Sequence, residues 1–246
     1  IAQYISAILI LRALAKMGGD YALRLSELKL DKRMAKYVIQ IGLPAGIQNG
    51  IFQLANLFIQ AGVNTFDSTM VAGNSAAANA DALLYDSMAA FYTACGSFMG
   101  QNYGAGKRKR VRNSYLISLA YSFGIGLIGG LVLVLFGRQF LGLFTTDPAV
   151  VEAGMKRLTI MGYCYGFSAF MDSAIAASRA LGKSLVPTVI VILGSCVFRM
   201  IWVNTVFAYF RTIPSLYLLY IFSWGITAIV EIIYFVHVYR MTKIGE

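Results

Sequence analysis

Histidine, acid and cysteine are all scarce in this chain. Its 246 residues hold one His and three Cys, and eleven Asp and Glu stand against 21 Lys and Arg. The lone His237 lies near the end of an apolar segment with no acid or nucleophile beside it, so a nucleophile–His–acid set cannot be assembled. No paired Asp cluster of the kind that holds Mg²⁺ in membrane-embedded prenyl- or phosphotransferases occurs either. The chain therefore reads as no enzyme, with such an enzyme an unfavoured alternative. Cys95, Cys164 and Cys196 fall singly inside apolar segments, which excludes a disulfide framework and metal-ligand spacing and leaves them as packing residues. No metal site and no cofactor are expected.

Apolar residues fill the space that these absences leave. The chain is 58% hydrophobic and 13% charged, more apolar surface than a soluble domain of this size can hide. At about 20 apolar residues per span, it divides into a partial helix over 1–15 and six complete ones near 36–64, 72–100, 114–136, 150–180, 184–210 and 214–239. The expected fold is an all-α, polytopic membrane helix bundle whose partner is the lipid bilayer. Residues 16–35, polar and basic, read as a surface linker, and 36–246 as the six-helix lobe. Ile1 sits inside an apolar run rather than behind an initiator Met, so the chain reads as a piece of a longer protein.

The net charge of +10 has a membrane explanation and needs no nucleic acid. Lys and Arg in short loops are retained on the cytoplasmic side. Residues 12–36 carry seven cations and 107–112 carry five; Arg179, Lys183, Arg240 and Lys243 add four, which makes sixteen of the 21. These groups occupy alternate loops. Asp67, Arg138, Asp147, Glu152 and Arg211 mark the opposite side. The alternation places both ends of the six spans in the cytoplasm.

Polar residues inside the spans are the candidate site. Asn49, Gln53, Asn56, Gln60 and Asn64 are spaced 4, 3, 4 and 4 apart, which confines them to an arc of roughly 80° on one helix face. Unpartnered carboxamides are costly in hydrocarbon, so this face is expected to line a wet cavity; interhelical glue is the alternative for any one of them. In the next span Asn74, Asp81, Tyr85 and Tyr92 share a face, and Asn79 with Asp86 share another. Asp172 lines up with Tyr165, Ser168 and Arg179 in the fourth span. Arg199 lies mid-span in the fifth and Glu231 deep in the sixth. A charge at such depth suggests a functional site. For Asp81, Asp86 and Asp172 a site role and a structural pair are both open; for Arg199 and Glu231 a structural role is favoured, a charge pair between the two being one arrangement, and the sequence does not say which carboxylate faces Arg199.

Four segments resemble a known family. Ile41-Gly42-Leu43-Pro44-Ala45-Gly46-Ile47-Gln48, Val71-Ala72-Gly73-Asn74-Ser75-Ala76-Ala77, and Phe98-Met99-Gly100-Gln101-Asn102-Tyr103-Gly104-Ala105-Gly106-Lys107 are three of them. The fourth is Met171-Asp172 with Ser178-Arg179-Ala180-Leu181-Gly182-Lys183-Ser184 and Pro187. Their order and content are similar to the C-terminal lobe of multidrug and toxic compound extrusion (MATE) transporters, of the bacterial DinF-like and NorM-like branches. The resemblance implies one six-helix lobe of a twelve-helix protein in a bacterial inner membrane. Residues 1–15 would end the sixth helix and 16–35 would link the lobes, with the N-terminal lobe missing from this chain. It also implies secondary active efflux of organic cations and amphipathic drugs in exchange for Na⁺ or H⁺. Two features depart from the family pattern. The seventh-helix row is all Asn and Gln where some relatives have a carboxylate, and the usual Arg-Gly after the tenth helix reads Arg179-Ala180.

On that reading Asn49, Gln53, Asn56, Gln60, Asp81, Tyr85, Asp86 and Asp172 line the substrate and ion pathway, with Asp172 and then Asp81 as the carboxylates exchanging the ion. Phe52, Tyr85, Met88 and Tyr92 would hold apolar parts of varied substrates, because such side chains repack readily. A lipid-linked precursor or polysaccharide flippase of the same superfamily is the runner-up; it would call for a more cationic cavity than a lone Arg199 supplies. An inactive isolated fragment is the third reading. The expected outcome of sequencing the coding region upstream of Ile1 is the rest of a preceding six-helix lobe with matching motifs.

Overall fold

The computed structural model describes residues 2–18, 22–24 and 29–244. Eight helices account for nearly all of them: α1 (Ala2–Lys16), α2 (Lys32–Val63), α3 (Ser68–Gly104), α4 (Arg108–Leu141), α5 (Pro148–Gly162), α6 (Tyr165–Ala180), α7 (Leu185–Phe210) and α8 (Ile213–Met241). The chain falls into two compact units, Ile1–Ile39 and Gln40–Glu246. In the first, α1 has no buried residue, and Asp31 caps the start of α2 by accepting from Arg33 N at 2.7 Å and Met34 N at 3.1 Å. Parts of the expected linker lie outside the described residues.

The second unit is a bundle of packed helices. Three of them, α4, α7 and α8, are long and apolar enough to cross a membrane; α2 and α3 are as long but carry the polar rows, and α5 and α6 are too short singly. The chain is a multi-pass membrane protein with an all-α fold. On the side away from the basic loops, side chains cap helix starts: Asp67 accepts from Met70 N at 2.7 Å, Asp147 from Ala149 N at 2.9 Å, and Thr212 forms a capping box with Ser215. On the basic side, glycines with positive φ turn the chain, Gly106 at 68° and Gly182 at 78°, a region that a Cβ disfavours.

Three local features depart from the sequence reading. α3 runs on through Gly100 to Gly104, so the glycine-rich motif is mostly helix and only Gly106 makes the reversal. The expected single helix over 150–180 is broken at Tyr163–Cys164 into α5 and α6. Beside the break, Gly162 approaches Gly130 of α4 backbone to backbone, leaving no room for a side chain on either. Finally, α7 contains two π-helical stretches, Ile192–Val197 and Val203–Phe207, flanking Arg199; such widened turns favour functional sites.

The glycine contacts set how close the helices come. A Cβ on Gly73 of α3 would lie 2.6 Å from Gly154 N of α5, and one on Gly130 would run into the Gly162 carbonyl. Gly130→Ala should therefore lower thermal stability by about 1–3 kcal/mol, as overpacking does. Gly124→Ala in the same helix, where a Cβ meets nothing within 4 Å, should be neutral or stabilising by up to about 1 kcal/mol. Thermal unfolding of the two purified variants checks the contrast.

Candidate functional site

The amide row of α2 and the α3 face opposite it enclose a cavity of about 620 Å³. Asn49, Gln53, Asn56 and Gln60 line it from α2, and Asn74, Asp81, Tyr85 and Tyr92 from α3. Asp172 and Tyr165 of α6, Arg157 of α5, Arg199 of α7, and Tyr220 and Trp224 of α8 complete the wall. Phe52, Ile59, Met161 and Met171 supply its apolar surface. Both helical rows thus reach one space. Asn64 lies just beyond, where its Oδ1 accepts from Gln60 Nε2 at 2.9 Å.

Arg157 is the residue that the sequence reading missed. It is buried, and its guanidinium donates through Nε to Asp81 Oδ2 at 2.9 Å, through Nη2 to the same oxygen, and through Nη1 to Asn74 Oδ1 at 2.5 Å. Tyr165 OH donates to the other Asp81 oxygen and Tyr217 OH to Asn74 Oδ1. Asn74 Nδ2 donates onward to Gln60 Oε1 at 3.4 Å. The Arg157 guanidinium also lies over the Tyr217 ring, 5.2 Å from its centroid. One buried cation therefore joins α2, α3, α5, α6 and α8. The signal available in sequence was weak, because Arg157 follows Glu152 and Lys156 near a helix start and looks like part of a boundary charge group.

The second half of the cavity centres on Asp172 and Arg199. Arg199 is 1% exposed and sits among aromatic faces, 4.6 Å from the Tyr220 centroid, 5.0 Å from Phe52 and 6.0 Å from Trp224. Its Nε donates to Ser223 Oγ at 3.2 Å, while its Nη2 has no hydrogen-bond partner among the described residues. Asp172 Oδ2 is buried and likewise without a donor, with Arg199 and Arg179 as its charged neighbours. Both Asp81 oxygens accept hydrogen bonds, whereas Asp172 Oδ2 accepts none among the described residues. Chemically, Asp172 is the carboxylate with a whole oxygen open to an incoming proton or cation.

Two sequence expectations change here. Arg199 and Glu231 are not joined: Arg199 bonds Ser223 of α8, and Glu231 lies eight residues further along that helix, about 12 Å by helical rise, with neither oxygen bonded among the described residues. Asp86 is exposed on α3 and does not line the cavity, because it sits about 100° round the helix from Tyr85. Arg199 is also not the lone cation at depth, since Arg157 shares the wall.

Comparison with known proteins places these features in a family. A family model described as MatE matches residues 44–210. The probable multidrug resistance protein NorM of Thermotoga maritima is 24% identical over 174 residues, 67% of this chain and 36% of that protein. An FAD transporter of Shewanella oneidensis is 28% identical over 56% of this chain and 31% of its own length. The chain thus spans about a third of the length of these curated relatives. Among solved structures, a MOP superfamily transporter from Pyrococcus furiosus superposes with a TM-score of 0.85 at 18% identity, covering 97% of this chain and 55% of that one; at that identity the likeness is one of fold.

Removing one partner of a buried ion pair strands the other. Arg157→Met in the full-length protein should cost about 3–5 kcal/mol. Arg157→Met combined with Asp81→Leu should cost less than Arg157→Met alone, because no unpaired carboxylate remains. Thermal unfolding of the single and double variants decides; a double variant at least as unstable as the single would show that the pair is not what fixes these helices.

Proposed function

Since the chain belongs to the MatE family, we propose that it forms the C-terminal lobe of a two-lobe secondary active exporter of amphipathic and cationic compounds. Residues 1–15 would end the preceding lobe's last helix, 16–35 would link the lobes in the cytoplasm, and 36–246 would be the transporting half in a bacterial inner membrane. The single observation carrying this reading is the cavity: an amide row and an aromatic floor converge on one carboxylate with an unsatisfied oxygen. Its volume suits a drug-sized ligand. Asn49, Gln53 and Asn56 are exposed on α2, and carboxamides do not face lipid without cost. A facing lobe around a water-filled cavity satisfies them.

The lobes would rock about that cavity. Asp172, in a low-dielectric wall that disfavours a lone charge, would take either the coupling ion (Na⁺ or H⁺) or a substrate cation, so loading one displaces the other. Asp81 would hold the lobe together through Arg157 and Tyr165 more than bind ions. A second reading draws on the two guanidiniums in the wall. Arg157 is neutralised by Asp81, but Arg199 keeps a free Nη2 among aromatic faces, and such a group suits an anionic substrate. That one relative is named an FAD transporter gives the alternative a chemistry.

Vesicles carrying the full-length protein test both. With ethidium inside and an imposed Na⁺ or pH gradient, the wild-type protein should exchange ethidium for the ion. Asp172→Asn should slow this at least about tenfold, the scale of one lost charge interaction. Undiminished exchange in that variant overturns Asp172 as the coupling carboxylate. Transport of FAD without ethidium establishes the anionic reading instead.

A further inference from the structure

One polar system belongs neither to the Arg157 network nor to the cavity wall proper. It lies between α6 and α8, on the basic-loop side of Asp172. Glu231 is fully buried, and neither carboxylate oxygen meets a donor among the described residues. Arg179 stands two turns beyond Asp172 on the same face of α6, half-buried, with its Nε buried and unbonded among the described residues. Its Nη2 is turned elsewhere, donating to Gln48 Oε1 of α2 at 2.8 Å and to Thr188 Oγ1 of α7 at 3.5 Å. The charged and titratable groups facing Glu231 are Arg179 and Asp172 from α6 and Tyr234 from its own helix. Ser178 Oγ is buried and unbonded beside Arg179. A partly satisfied cluster of this kind is costly unless it has a second arrangement or a ligand.

Gln48 supplies the link. It accepts from Arg179 Nη2, together with Thr188, and it also lines the cavity. We propose that Glu231 is a proton-binding site outside the cavity, and that Gln48 and Arg179 tie its proton to what occupies the cavity.

With Arg179 held by Gln48 and Thr188, Glu231 stays a carboxylic acid, because an ionised carboxylate without a donor is strongly disfavoured at that depth. An occupant that hydrogen-bonds the Gln48 carboxamide oxygen frees the guanidinium. Arg179 then turns to Glu231 and stabilises its ionised form. The carboxyl O–H bond breaks, its electron pair stays on the carboxylate oxygen, and the proton passes to water on the basic-loop side. The end of α8 is about 15 Å away by helical rise. Loading the cavity from that side thereby expels a proton to that side, which is the order an exchanger requires. This coupling rests on the exporter reading; the proton site itself does not.

Infrared spectroscopy of the full-length protein in lipid tests the site. A protonated-carboxyl band present at neutral pH should be missing in Glu231→Gln; an unchanged band overturns the proposal. Gln48→Ala and Thr188→Val release Arg179 and should lower the titration midpoint of that band by about one pH unit, a tenfold change in proton affinity. Arg179→Met removes the cation and should raise it. These variants keep Glu231, so they decide the matter even if Glu231→Gln does not fold, and midpoints that fail to move in opposite directions overturn the proposal. In weakly buffered solution, adding ethidium should release more protons from the wild-type protein than from Arg179→Met, which keeps only the exchange at Asp172; equal release from both overturns the coupling. Absence of ethidium and FAD exchange by wild-type vesicles would overturn the exporter reading alone, with the infrared midpoints still deciding the proton site.

Discussion

Arg157 has to be neutralised where it lies, and the rest of the lobe is arranged around that constraint. Its guanidinium is always charged and largely buried in the cavity wall, so its partners come from neighbouring helices in fixed geometry. Asp81 and Asn74 meet it from α3, two turns apart on one face, and Tyr165 and Tyr217 close the remaining acceptor sites from α6 and α8. This fixes the rotation of α3 about its axis. With Asp81 turned inward, Tyr85 and Tyr92 must follow it onto the same face, and Asp86 must turn out. The cavity lining is thus a consequence of one buried cation.

Periodicity made much of this visible beforehand. The spacing of Asn49, Gln53, Asn56 and Gln60 predicts a common face, and the structure gathers all four onto one cavity with Asp81, Tyr85 and Asp172. The positions of five of the six expected spans were legible for the same reason: lipid imposes length rules that a sequence states directly. What stayed hidden is whatever depends on how helices face one another. A helix period groups Asn79 with Asp86 and Asn74 with Asp81, yet it does not say which group looks inward. Opposite charges at depth suggested pairing Arg199 with Glu231, whereas axial offset keeps them apart and aromatic rings take the guanidinium instead. Arg157 escaped because a charge three turns into a helix, next to Glu152 and Lys156, looks like the end of a span. The break between α5 and α6 escaped too, since no proline marks it.

The two buried polar systems of the lobe differ in how fully they are satisfied. Around Arg157 every named oxygen of Asp81 and Asn74 has a donor, and such a network rigidifies the helices that contribute to it. Around Asp172, Arg179 and Glu231 several buried atoms have no partner among the described residues, and the helix carrying Arg199 is widened by π turns on both sides. A lobe that rocks as a body needs the first kind of network, because its helices must move together. A lobe that binds and releases ions needs the second, because a saturated carboxylate has nothing left to offer. The two lie at different depths of the same bundle, with the saturated network on the side of the acidic caps and the unsatisfied cluster towards the basic loops. Gln60 and Gln48, three turns apart on α2, belong respectively to one and the other. Helix α2 therefore touches both systems, one through Gln60 and the other through Gln48, and both residues line the cavity.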